Sequence, residues 1–569
     1  MSTFARVLVE RLRREPDATA LVLQFARRPE QAVTVRALMR AAAGWQRTLA
    51  QNGIQPGEVV LLILQHGADL VEAYFGCVLN GSIPAVMPFL TEKLLPERYR
   101  AELSALAGVT RPAAVVTYAE FEPEVRAALG EGAVGPRVLV ADGAPDLPGE
   151  PDWETLPGLT RQPEEIALLQ HSSGTTGLQK GVALSHRAVL RQLEVYAVAL
   201  RLDPAQDVIV SWLPLYHDMG LIASFLMPLL LGVKLVLMSP FDWVRAPYRL
   251  LQSISAHRGT LTWLPNFAYN FCAQKIRDRD LQGVDLSSLR AVVNCSEPCR
   301  AESHAAFAER FASFGLNLAA LMTCYAMAEN VFAVTHAGLD GRVKLDVIDR
   351  DALQVERVAR PAANDGRAAL TMVSNGRPLP NAAVRIVDAA GADLPERAVG
   401  EIALRSDCML TEYYHRPDAT EQAFLPGGWY RTGDLGYLAG GELYVSGRMK
   451  DLIIVGGKNI YPQDIEAAAS QVPGVHPGRV VAFGLFDEVA GTEEVALVAE
   501  VEVQGEAERE ALADSIRQAV TRSTAVALRR LHLVEPGWII KTSSGKTARL
   551  ANKERYLEEL ATENTEITE

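Results

Sequence analysis

One stretch of the chain reads His171-Ser172-Ser173-Gly174-Thr175-Thr176-Gly177-Leu178-Gln179-Lys180-Gly181. It is the starting point for interpreting the rest of the sequence. Between Ser172 and Lys180 it combines four hydroxyl side chains, two glycines and one ammonium group. Glycine tolerates positive φ and lets the backbone come close to a ligand. Hydroxyls, free N–H groups and a lysine in one loop favour a polyanion, and a nucleotide triphosphate fits that description.

This stretch is not the common P-loop. That motif, GxxxxGK[ST], requires a glycine directly before its lysine, whereas Lys180 follows Gln179. The segment Ser544-Gly545-Lys546-Thr547 also fails the test, because position 540 is isoleucine. A cluster of Ser, Thr and Gly is also the usual composition of a polar loop without a ligand, so its interpretation depends on motifs elsewhere in the chain.

Length, charge and cysteine content restrict the class of protein. A chain of 569 residues exceeds a single compact core, and we expect about two to four domains. The formal net charge of −13 argues against a nucleic-acid-binding protein, since no basic surplus offsets phosphates. Six scattered cysteines and an N-terminus without a signal peptide predict reduced thiols and a cytoplasmic protein. Cys295 and Cys299 have no partnering pair at zinc-like spacing, so no metal site is expected there.

The first 370 residues carry an α/β pattern. Short apolar runs alternate with helical segments such as Asp69–Leu79, which predicts βαβ units and a large N-terminal domain of layered α/β sheets with substantial parallel pairing. The apolar run from Gly220 to Met238 is interrupted by Pro228 and Lys234, so we predict a buried helix leading into a strand and no membrane span. The predicted strands are Val59–Leu64, Ile83–Met87, Arg137–Ala141, Val208–Leu213, Lys234–Met238 and Arg290–Asn294.

After residue 370 the sequence pattern changes. Short strands between Gly- and Pro-containing turns predict a barrel-like β subdomain. We place a domain boundary at Gly447–Lys450, with residues 1–447 forming the large domain and residues 448–569 a small mobile α+β domain. The glutamate-rich tail Tyr556–Glu569 is predicted to be a frayed, solvated end. The predicted strands of this part are Ala383–Val387, Gly400–Arg405, Glu442–Ser446, Leu452–Val455, Val480–Phe483 and Glu494–Val503.

Six further segments accompany the opening stretch and give it a context. They are Pro214-Leu215-Tyr216-His217-Asp218-Met219-Gly220, Asn294-Cys295-Ser296-Glu297-Pro298, Cys324-Tyr325-Ala326-Met327-Ala328-Glu329, Tyr430-Arg431-Thr432-Gly433-Asp434, Gly447-Arg448-Met449-Lys450-Asp451 and Lys541-Thr542-Ser543-Ser544-Gly545-Lys546. In this order they resemble the core motifs of the adenylate-forming superfamily, which includes acyl-CoA synthetases, peptide-synthetase adenylation domains and luciferases. The resemblance extends from about residue 30 to about residue 550.

The resemblance implies that a carboxylate attacks the α-phosphorus of ATP and expels pyrophosphate. Both reactants are anionic, so the site has to offset charge first. The opening stretch would hold the β- and γ-phosphates, with Thr175, Thr176 and Lys180 in direct contact. Family loops usually carry proline where this chain has Gln179. The candidate residues of the loop are Ser172, Ser173, Gly174, Thr175, Thr176, Gly177 and Lys180.

The other motifs imply a nucleotide site and a catalytic lysine. By resemblance, Glu329 would reach Mg²⁺, while Ala328 stands where many relatives carry threonine and so lacks one phosphate-contacting hydroxyl. Lys546 would bridge the substrate carboxylate and the α-phosphate, and Lys450 would be the hinge of the small domain. The remaining candidates are Ser296, Glu297 and Pro298 along the adenine, Tyr325, Ala326 and Met327 at its face, Asp434 and Arg448 on the ribose, and His217 near the substrate carboxylate.

Several segments are similar to the fatty acyl-AMP ligase branch, which passes its acyl group to the phosphopantetheine arm of an acyl carrier protein in lipid or polyketide biosynthesis. These are Leu264–Tyr269, Tyr216–Gly220, Asn459–Glu466 and the long segment between Glu329 and Gly376, an insertion that in this branch restrains the small domain and disfavours CoA. Lys458 and Ile460 depart from the pattern, because the branch tends to show Arg and His there.

Three other interpretations stay open at this stage. A medium- or long-chain acyl-CoA synthetase would share the first half-reaction. An amino-acid-adenylating enzyme would use Asp218 to meet an ammonium group. A nucleotide-binding protein without catalysis would retain the motifs but form no acyl-AMP. The aromatic and apolar side chains that lie in candidate acyl-site segments are also explained as core residues; they are Trp212, Met227, Trp243, Trp263 and Phe267.

Overall fold

The computed structural model describes residues 2–90, 96–130, 135–145, 147, 149–171, 180–363, 368–488, 491–503, 505–542 and 545–566. Its largest element is a nine-stranded sheet with six parallel strands in the centre and antiparallel strands at the edges. In sheet order the strands are Arg377–Pro378, Ala333–Ala337, Leu321–Ala326, Ala291–Asn294, Leu261–Leu264, Val208–Ser211, Lys234–Met238, Thr19–Gln24 and Gln31–Thr34.

A second, four-stranded parallel sheet completes the α/β part. Its strands, in sheet order, are Ile83–Val86, Val59–Ile63, Ala114–Tyr118 and Arg137–Ala141. All five residues of Val59–Ile63 are buried, as expected for a parallel strand covered on both faces. The predicted parallel sheets are therefore confirmed, with strand ends that differ from the predictions by one or two residues.

The large domain also contains two antiparallel sheets. A three-stranded sheet has the order Glu412–Tyr413, Gly181–Ser185, Ile166–His171. A five-stranded sheet corresponds to the predicted β subdomain, and it contains Ala382–Val387, Gly400–Ser406, Phe424–Leu425, Trp429–Ala439 and Glu442–Arg448.

Within the segment between Glu329 and Gly376, Leu345–Asp349 pairs with Ala369–Val373 in a two-stranded antiparallel sheet. A short π-helical turn, Ala352–Glu356, follows its first strand. Ile348 and Leu353 of this segment are buried in one apolar cluster with Tyr437 and with Tyr461, which lies beyond residue 448. The segment is thus packed between the β subdomain and the C-terminal part of the chain.

The C-terminal part has its own sheet and its own core. The strands Val475–Asp487, Thr492–Val501 and Arg530–Val534 form a mixed sheet, and Ile453–Val455 pairs with Lys458–Ile460. Helices Pro462–Ser470 and Glu506–Thr524 pack on that sheet through residues such as Ile465 and Ile516. A small α+β domain is therefore confirmed, and the exact boundary at Gly447–Lys450 stays a prediction.

The α-helices surround these sheets. They are Phe4–Arg14, Val35–Gln51, Ala68–Asn80, Pro96–Thr110, Glu122–Leu129, His186–Ala199, Met227–Leu231, Pro240–Arg245, Tyr248–His257, Asn266–Lys275, Ala301–Phe311, Pro417–Gln422, Pro462–Ser470, Glu506–Thr524 and Arg549–Glu566. The predicted buried helix before Lys234–Met238 is a π-helical segment, Met219–Leu226, continued by Met227–Leu231. In the described part of the chain, none of the helices combines the length and apolar character needed to span a bilayer.

The prediction for the tail was wrong. Residues from Arg549 to Glu566 form one helix, and Tyr556 is buried in an apolar cluster with Phe483 of the small domain's sheet. The rings of Tyr556 and Phe483 lie 5.5 Å apart in an edge-to-face arrangement. Glu559 is half-buried and accepts a hydrogen bond from Nε1 of Trp538 at 2.8 Å, and residues 567–569 of the predicted tail lie outside the described residues.

Candidate active site

The predicted phosphate-binding stretch lies between two paired strands. Ile166–His171 ends directly before it and Gly181–Ser185 begins directly after Lys180, with His171 opposite Gly181. Residues 172–179, which include most of the predicted phosphate contacts, lie outside the described residues. Lys180 is described, and its Nζ lies 4.6 Å from the centroid of the Tyr413 ring. The face of an aromatic ring attracts a cation and so helps to hold the ammonium in place.

Tyr413 also supports the candidate metal ligand. Its hydroxyl donates to Oε1 of Glu329 at 2.9 Å and lies 2.8 Å from the hydroxyl of Tyr430. The strand Glu412–Tyr413 pairs with Gly181–Ser185, and this pairing brings the tyrosine beside both Lys180 and Glu329. Burial raises the pKa of Glu329 above its ordinary value, against the opposing effect of the hydrogen bond from Tyr413.

The backbone next to Glu329 is strained. Val331 has φ +63° and ψ −57°, and the N–H of Phe332 donates to the carbonyl of Asn330 at 2.6 Å. This is the geometry of a γ-turn of the rare kind, which a β-branched residue adopts at a cost of about 1–3 kcal/mol. Such strain persists only where the surrounding structure fixes the turn.

The predicted ribose residues form one cluster. Asp434 and Arg448 are directly opposed on two antiparallel strands, and Nε of Arg448 lies 3.1 Å from Oδ1 of Asp434. The hydroxyl of Tyr325 donates to Oδ2 of Asp434 at 2.7 Å. The carboxylate of Asp434 raises the pKa of Arg448. Sequence motifs separated by about a hundred residues therefore meet at one buried carboxylate.

The predicted adenine segment lies at the end of the strand Ala291–Asn294. Ser296 has φ +71°, so the chain turns sharply there. Oε2 of Glu297 accepts a hydrogen bond from the N–H of Phe267 at 3.0 Å, whereas Pro298 is exposed. This position agrees with the rule that ligands of open α/β sheets bind beyond the carboxyl ends of the parallel strands. Ala326 and Met327, at the end of Leu321–Ala326, are half-buried beside it.

The predicted acyl-site histidine is paired with its neighbour. Nδ1 of His217 lies 2.7 Å from Oδ1 of Asp218, which also accepts from the N–H of Met219 at 2.7 Å. Burial opposes ionisation, but His217 and Lys546 together bring the pKa of Asp218 below its ordinary value. The loop is tightly packed, since a Cβ on Gly220 would lie 2.2 Å from the carbonyl oxygen of Pro214.

The predicted catalytic lysine is carried by a short turn of the small domain. Lys541 and Thr547 form an antiparallel bridge, and the hydroxyl of Thr542 accepts from the N–H of Lys546 at 3.1 Å. Gly545 has φ +86° within this turn. The turn directs Lys546 into the large domain, where burial lowers its pKa, Asp218 raises it and Arg448 lowers it.

The connection between the domains is held on both sides of the predicted hinge. Lys450 is exposed in a short helical turn, Met449–Asp451. The guanidinium of Arg549 lies 3.6 Å from Asp451 and is paired with Glu466. A Cβ on Gly447 would lie 2.9 Å from the Nε2 of Gln463, so the linker packs closely on the small domain.

The insertion makes polar contacts with the small domain. The amide of Asn459 donates to the carbonyl of Gln354 at 2.8 Å and accepts from Arg357 at 3.0 Å. Arg350 donates to the carbonyl of Ser523 at 2.9 Å. Elsewhere in the interface, Arg300 of the large domain donates to Asp464 at 2.8 Å.

The structure thus brings Lys180, Glu329, Tyr325, Asp434, Arg448, His217 and Lys546 to one cleft. Sequence analysis missed Tyr413, because its proximity to Glu329 depends on a strand pairing that no local pattern reveals. Asp218 was considered only for an ammonium substrate. Trp212 and Trp243 are buried and stack on each other at 3.6 Å between centroids, which agrees with a core role.

A divalent cation fits the charge and donor set at Glu329. In the described ranges, no group of three or more His, Cys, Asp and Glu residues is arranged to hold a metal by itself. Mg²⁺ is usually held by one or two carboxylates together with substrate phosphates, so a single oriented carboxylate would be sufficient once a nucleotide is bound.

Comparison with known proteins decides the family. A family profile described as AMP-binding enzyme matches residues 8–414. The chain belongs to the AMP-binding enzyme family. Among relatives of this AMP-binding enzyme, the long-chain-fatty-acid–AMP ligase FadD26 of Mycobacterium bovis is 31% identical over 577 residues, covering 97% of this chain and 96% of the relative. A 4-hydroxyphenylalkanoate adenylyltransferase of Mycobacterium tuberculosis is 32% identical over 528 residues, covering 88% and 82%.

Solved structures agree with this assignment. A structure from studies of fatty acyl-adenylate ligases of E. coli and L. pneumophila superimposes with a TM-score of 0.87 at 31% identity, covering 99% of this chain and 98% of the other. A fatty acyl-adenylate ligase of L. pneumophila in complex with acyl adenylate and pyrophosphate gives 0.72 at 26% identity, covering 98% and 96%. The predicted membership of the adenylate-forming superfamily and its fatty acyl-AMP ligase branch is confirmed, and this AMP-binding enzyme is an acid–AMP ligase.

Proposed function

We propose that this enzyme activates a fatty acid with ATP to acyl-AMP, releases pyrophosphate, and then transfers the acyl group to the phosphopantetheine thiol of an acyl carrier protein. The observation that carries this proposal is the environment of Lys546. Its ammonium interacts with the charges of Asp218 in the acyl-site motif, Glu297 in the adenine segment and Arg448 at the ribose cluster. One cation of the small domain thus interacts with charged residues of the predicted acyl, adenine and ribose segments.

Each residue of the cleft would have a separate role in the first half-reaction. Asp434 and Arg448 would hold the ribose, and Lys180 the terminal phosphates. Lys546 would lie between the attacking carboxylate and the α-phosphate, where its charge offsets the negative charge that develops on the pentacoordinate phosphorus. Preorganised charges of this kind are usually the largest contribution to catalysis in a site sheltered from water.

Glu329 would bind Mg²⁺ together with the phosphates of ATP. Bound there, the ion would neutralise part of the phosphate charge and favour the departure of pyrophosphate. The hydroxyl of Tyr413 would keep the carboxylate of Glu329 directed toward the phosphates, because it donates to only one of the two oxygens.

The second half-reaction requires a change of domain arrangement. Lys546 fills the cleft that the thiol has to enter, so we infer a rotation of the small domain with Lys450 as its hinge and Gly447–Lys450 as the boundary. The exposed position of Lys450 is compatible with this role.

The insertion supports a carrier protein as the acceptor. Its contacts with Asn459 and Ser523 would limit the rotation of the small domain, and a limited rotation disfavours CoA. CoA is the second candidate, since a putative acyl-CoA synthetase of Caulobacter vibrioides is 32% identical over 526 residues, covering 90% of this chain. A cytoplasmic role in lipid or polyketide biosynthesis follows from the same proposal.

The direct experiment separates the two half-reactions. The purified enzyme is incubated with ATP, Mg²⁺ and a panel of fatty, aromatic and amino acids, and acyl-AMP and pyrophosphate are measured. CoA or a holo acyl carrier protein is then added, and each thioester is measured separately. We expect acyl-AMP from fatty acids and thioester only on the carrier protein. Thioester formed equally well on CoA would favour the second candidate, and ATP binding without acyl-AMP would refute both.

A further inference from the structure

One ion pair joins the predicted adenine segment to the small domain. The guanidinium of Arg300 donates to Oδ1 of Asp464 at 2.8 Å. The two side chains are 29% and 20% exposed, so the contact is partly withdrawn from water. Arg300 follows the segment Ser296–Pro298 by two residues, and Asp464 lies in the first turn of the helix Pro462–Ser470. A charged contact therefore crosses the domain interface next to the predicted nucleotide site.

The arginine is presented from a fixed backbone. Its N–H donates to Oδ1 of Asn266 at 3.1 Å, and the same oxygen accepts from Nδ2 of Asn294 at 3.0 Å. Nδ2 of Asn266 donates to Oγ of Ser303 at 3.1 Å. Because Asn294 is the last residue of the buried parallel strand Ala291–Asn294, this network ties the backbone of Arg300 to the end of the central sheet.

The aspartate is equally well fixed on the small domain. The N–H of Asp464 donates to the carbonyl of Tyr461 at 3.0 Å, and Tyr461 is buried. Pro462, at the start of the helix, sets the backbone for the first turn. A carboxylate in the first turn of a helix is stabilised by the helix dipole, so Asp464 stays ionised and available to Arg300.

The same segment carries a charge of opposite sign that acts on Lys546. Burial lowers the pKa of Lys546, and among the charges that raise it are the carboxylates of Asp218 and Glu297. The four residues from 297 to 300 thus present a negative charge to Lys546 and a positive charge to Asp464. Both partners belong to the small domain. Since like charges brought together are strongly disfavoured, the two pairs together favour one orientation of this domain.

We propose that Arg300 and Asp464 are positioning residues, which fix the small domain in the arrangement that brings Lys546 into the cleft and separate when the domain rotates. The inference rests on the proposed function, because it takes Lys546 to act in adenylation and the rotation to follow. The contacts of Asn459 join the small domain to the insertion, whereas this pair joins it to the nucleotide site itself. Loss of the pair should therefore slow adenylation without slowing acyl transfer.

The test is a double-mutant cycle of Arg300→Gln and Asp464→Asn, with acid-dependent ATP–pyrophosphate exchange as the assay. Each single variant should lower kcat about tenfold, as for a partly sheltered charged hydrogen bond, with the KM for ATP within about twofold of the wild type. The double variant should be no slower than the slower single variant, because all three lose the same contact. Arg300→Lys should recover most of the rate, since one nitrogen and one oxygen make the contact.

Two further measurements separate positioning from general damage. Single-turnover transfer from chemically prepared acyl-AMP to a holo acyl carrier protein should be at least as fast in the single variants as in the wild type, because the pair has to separate before the rotation. Tryptic cleavage after the exposed Lys450, measured without substrates, should be at least about threefold faster in both single variants, because the domain is held less firmly.

Arg310→Gln is the matched control. Arg310 is 23% exposed and pairs with Asp278 at 2.6 Å within the large domain, so this variant should match the wild type in all three assays. Exchange deficits that multiply in the double variant would overturn the proposal, and so would transfer that falls in parallel with exchange. Wild-type exchange and cleavage in both single variants would overturn it too. Absence of acid-dependent exchange in the wild type would instead count against the proposed function, while cleavage after Lys450 would still test the pair.

Discussion

Replacing Asn459 with alanine tests the inferred restraint on the small domain. The side chain is 6% exposed and makes two hydrogen bonds to the insertion, one with the carbonyl of Gln354 and one with the guanidinium of Arg357. A buried carbonyl that loses its partner costs about 1–3 kcal/mol, and a hydrogen bond with a charged group contributes about 1.5–3 kcal/mol. Since Arg357 is exposed and water can reach it, we take about 2–4 kcal/mol as the loss in the interface.

A loss of about 2 kcal/mol corresponds to a change of about 30-fold in the equilibrium between restrained and rotated domains. We therefore expect thioester formation with CoA to rise by at least about tenfold in Asn459→Ala. Adenylation should stay within about twofold of the wild type, because Asn459 contacts neither the acyl motif nor the ribose cluster. The assay compares CoA and holo carrier protein as acceptors, and limited proteolysis at Gly447–Lys450 reports the freedom of the linker.

Asn381→Ala is the control, since Asn381 also makes two side-chain hydrogen bonds, to Asp407 and Cys408, away from the small domain. It should leave acceptor preference and proteolysis unchanged. Faster proteolysis of Asn459→Ala without any gain in CoA activity would refute the reasoning, because the domain would then be free and CoA still excluded.

Three further predictions concern the large domain. Tyr413→Phe removes the hydroxyl that orients Glu329, so the KM for MgATP should rise about tenfold, whereas Tyr414→Phe should not change it. Asp434→Asn weakens the pairing with Arg448, and we expect the KM for ATP to rise at least tenfold with an unchanged KM for the acid. Burial lowers the pKa of His304 to about 4 and of His336 to about 3, so unfolding should take up protons below pH 6.5 and Tm should fall as the pH decreases toward 4. Equal Tm values at pH 7 and pH 5 would contradict the last prediction.

The sequence predicted the parallel sheets well, because their strands are short apolar runs. Val59–Ile63 is such a run buried on both faces, and Arg137–Ala141, an edge strand with exposed residues, was found from its apolar run alone. The tail was predicted wrongly because a helix with one narrow apolar face resembles a charged, solvated end. Tyr556 was the relevant signal, and its burial depends on Phe483, which lies on a distant strand.

The sequence motifs predicted individual residues of the candidate site but not the contacts between them. Tyr325 was assigned to the adenine and Asp434 and Arg448 to the ribose, and the structure adds that Tyr325 and Arg448 both contact the carboxylate of Asp434. Tyr413 could not be found, since its role arises from pairing with Gly181–Ser185 across more than two hundred residues.

The central claim is that the ammonium of Lys546 assists attack on the α-phosphorus of ATP. Lys546→Ala tests it most directly, with acid-dependent ATP–pyrophosphate exchange and equilibrium ATP binding measured on the same preparation. We expect exchange to fall by at least about 10²-fold, as for the loss of one preorganised charge at a transition state, while the Kd for ATP stays within about twofold. Exchange close to the wild-type rate would contradict the account.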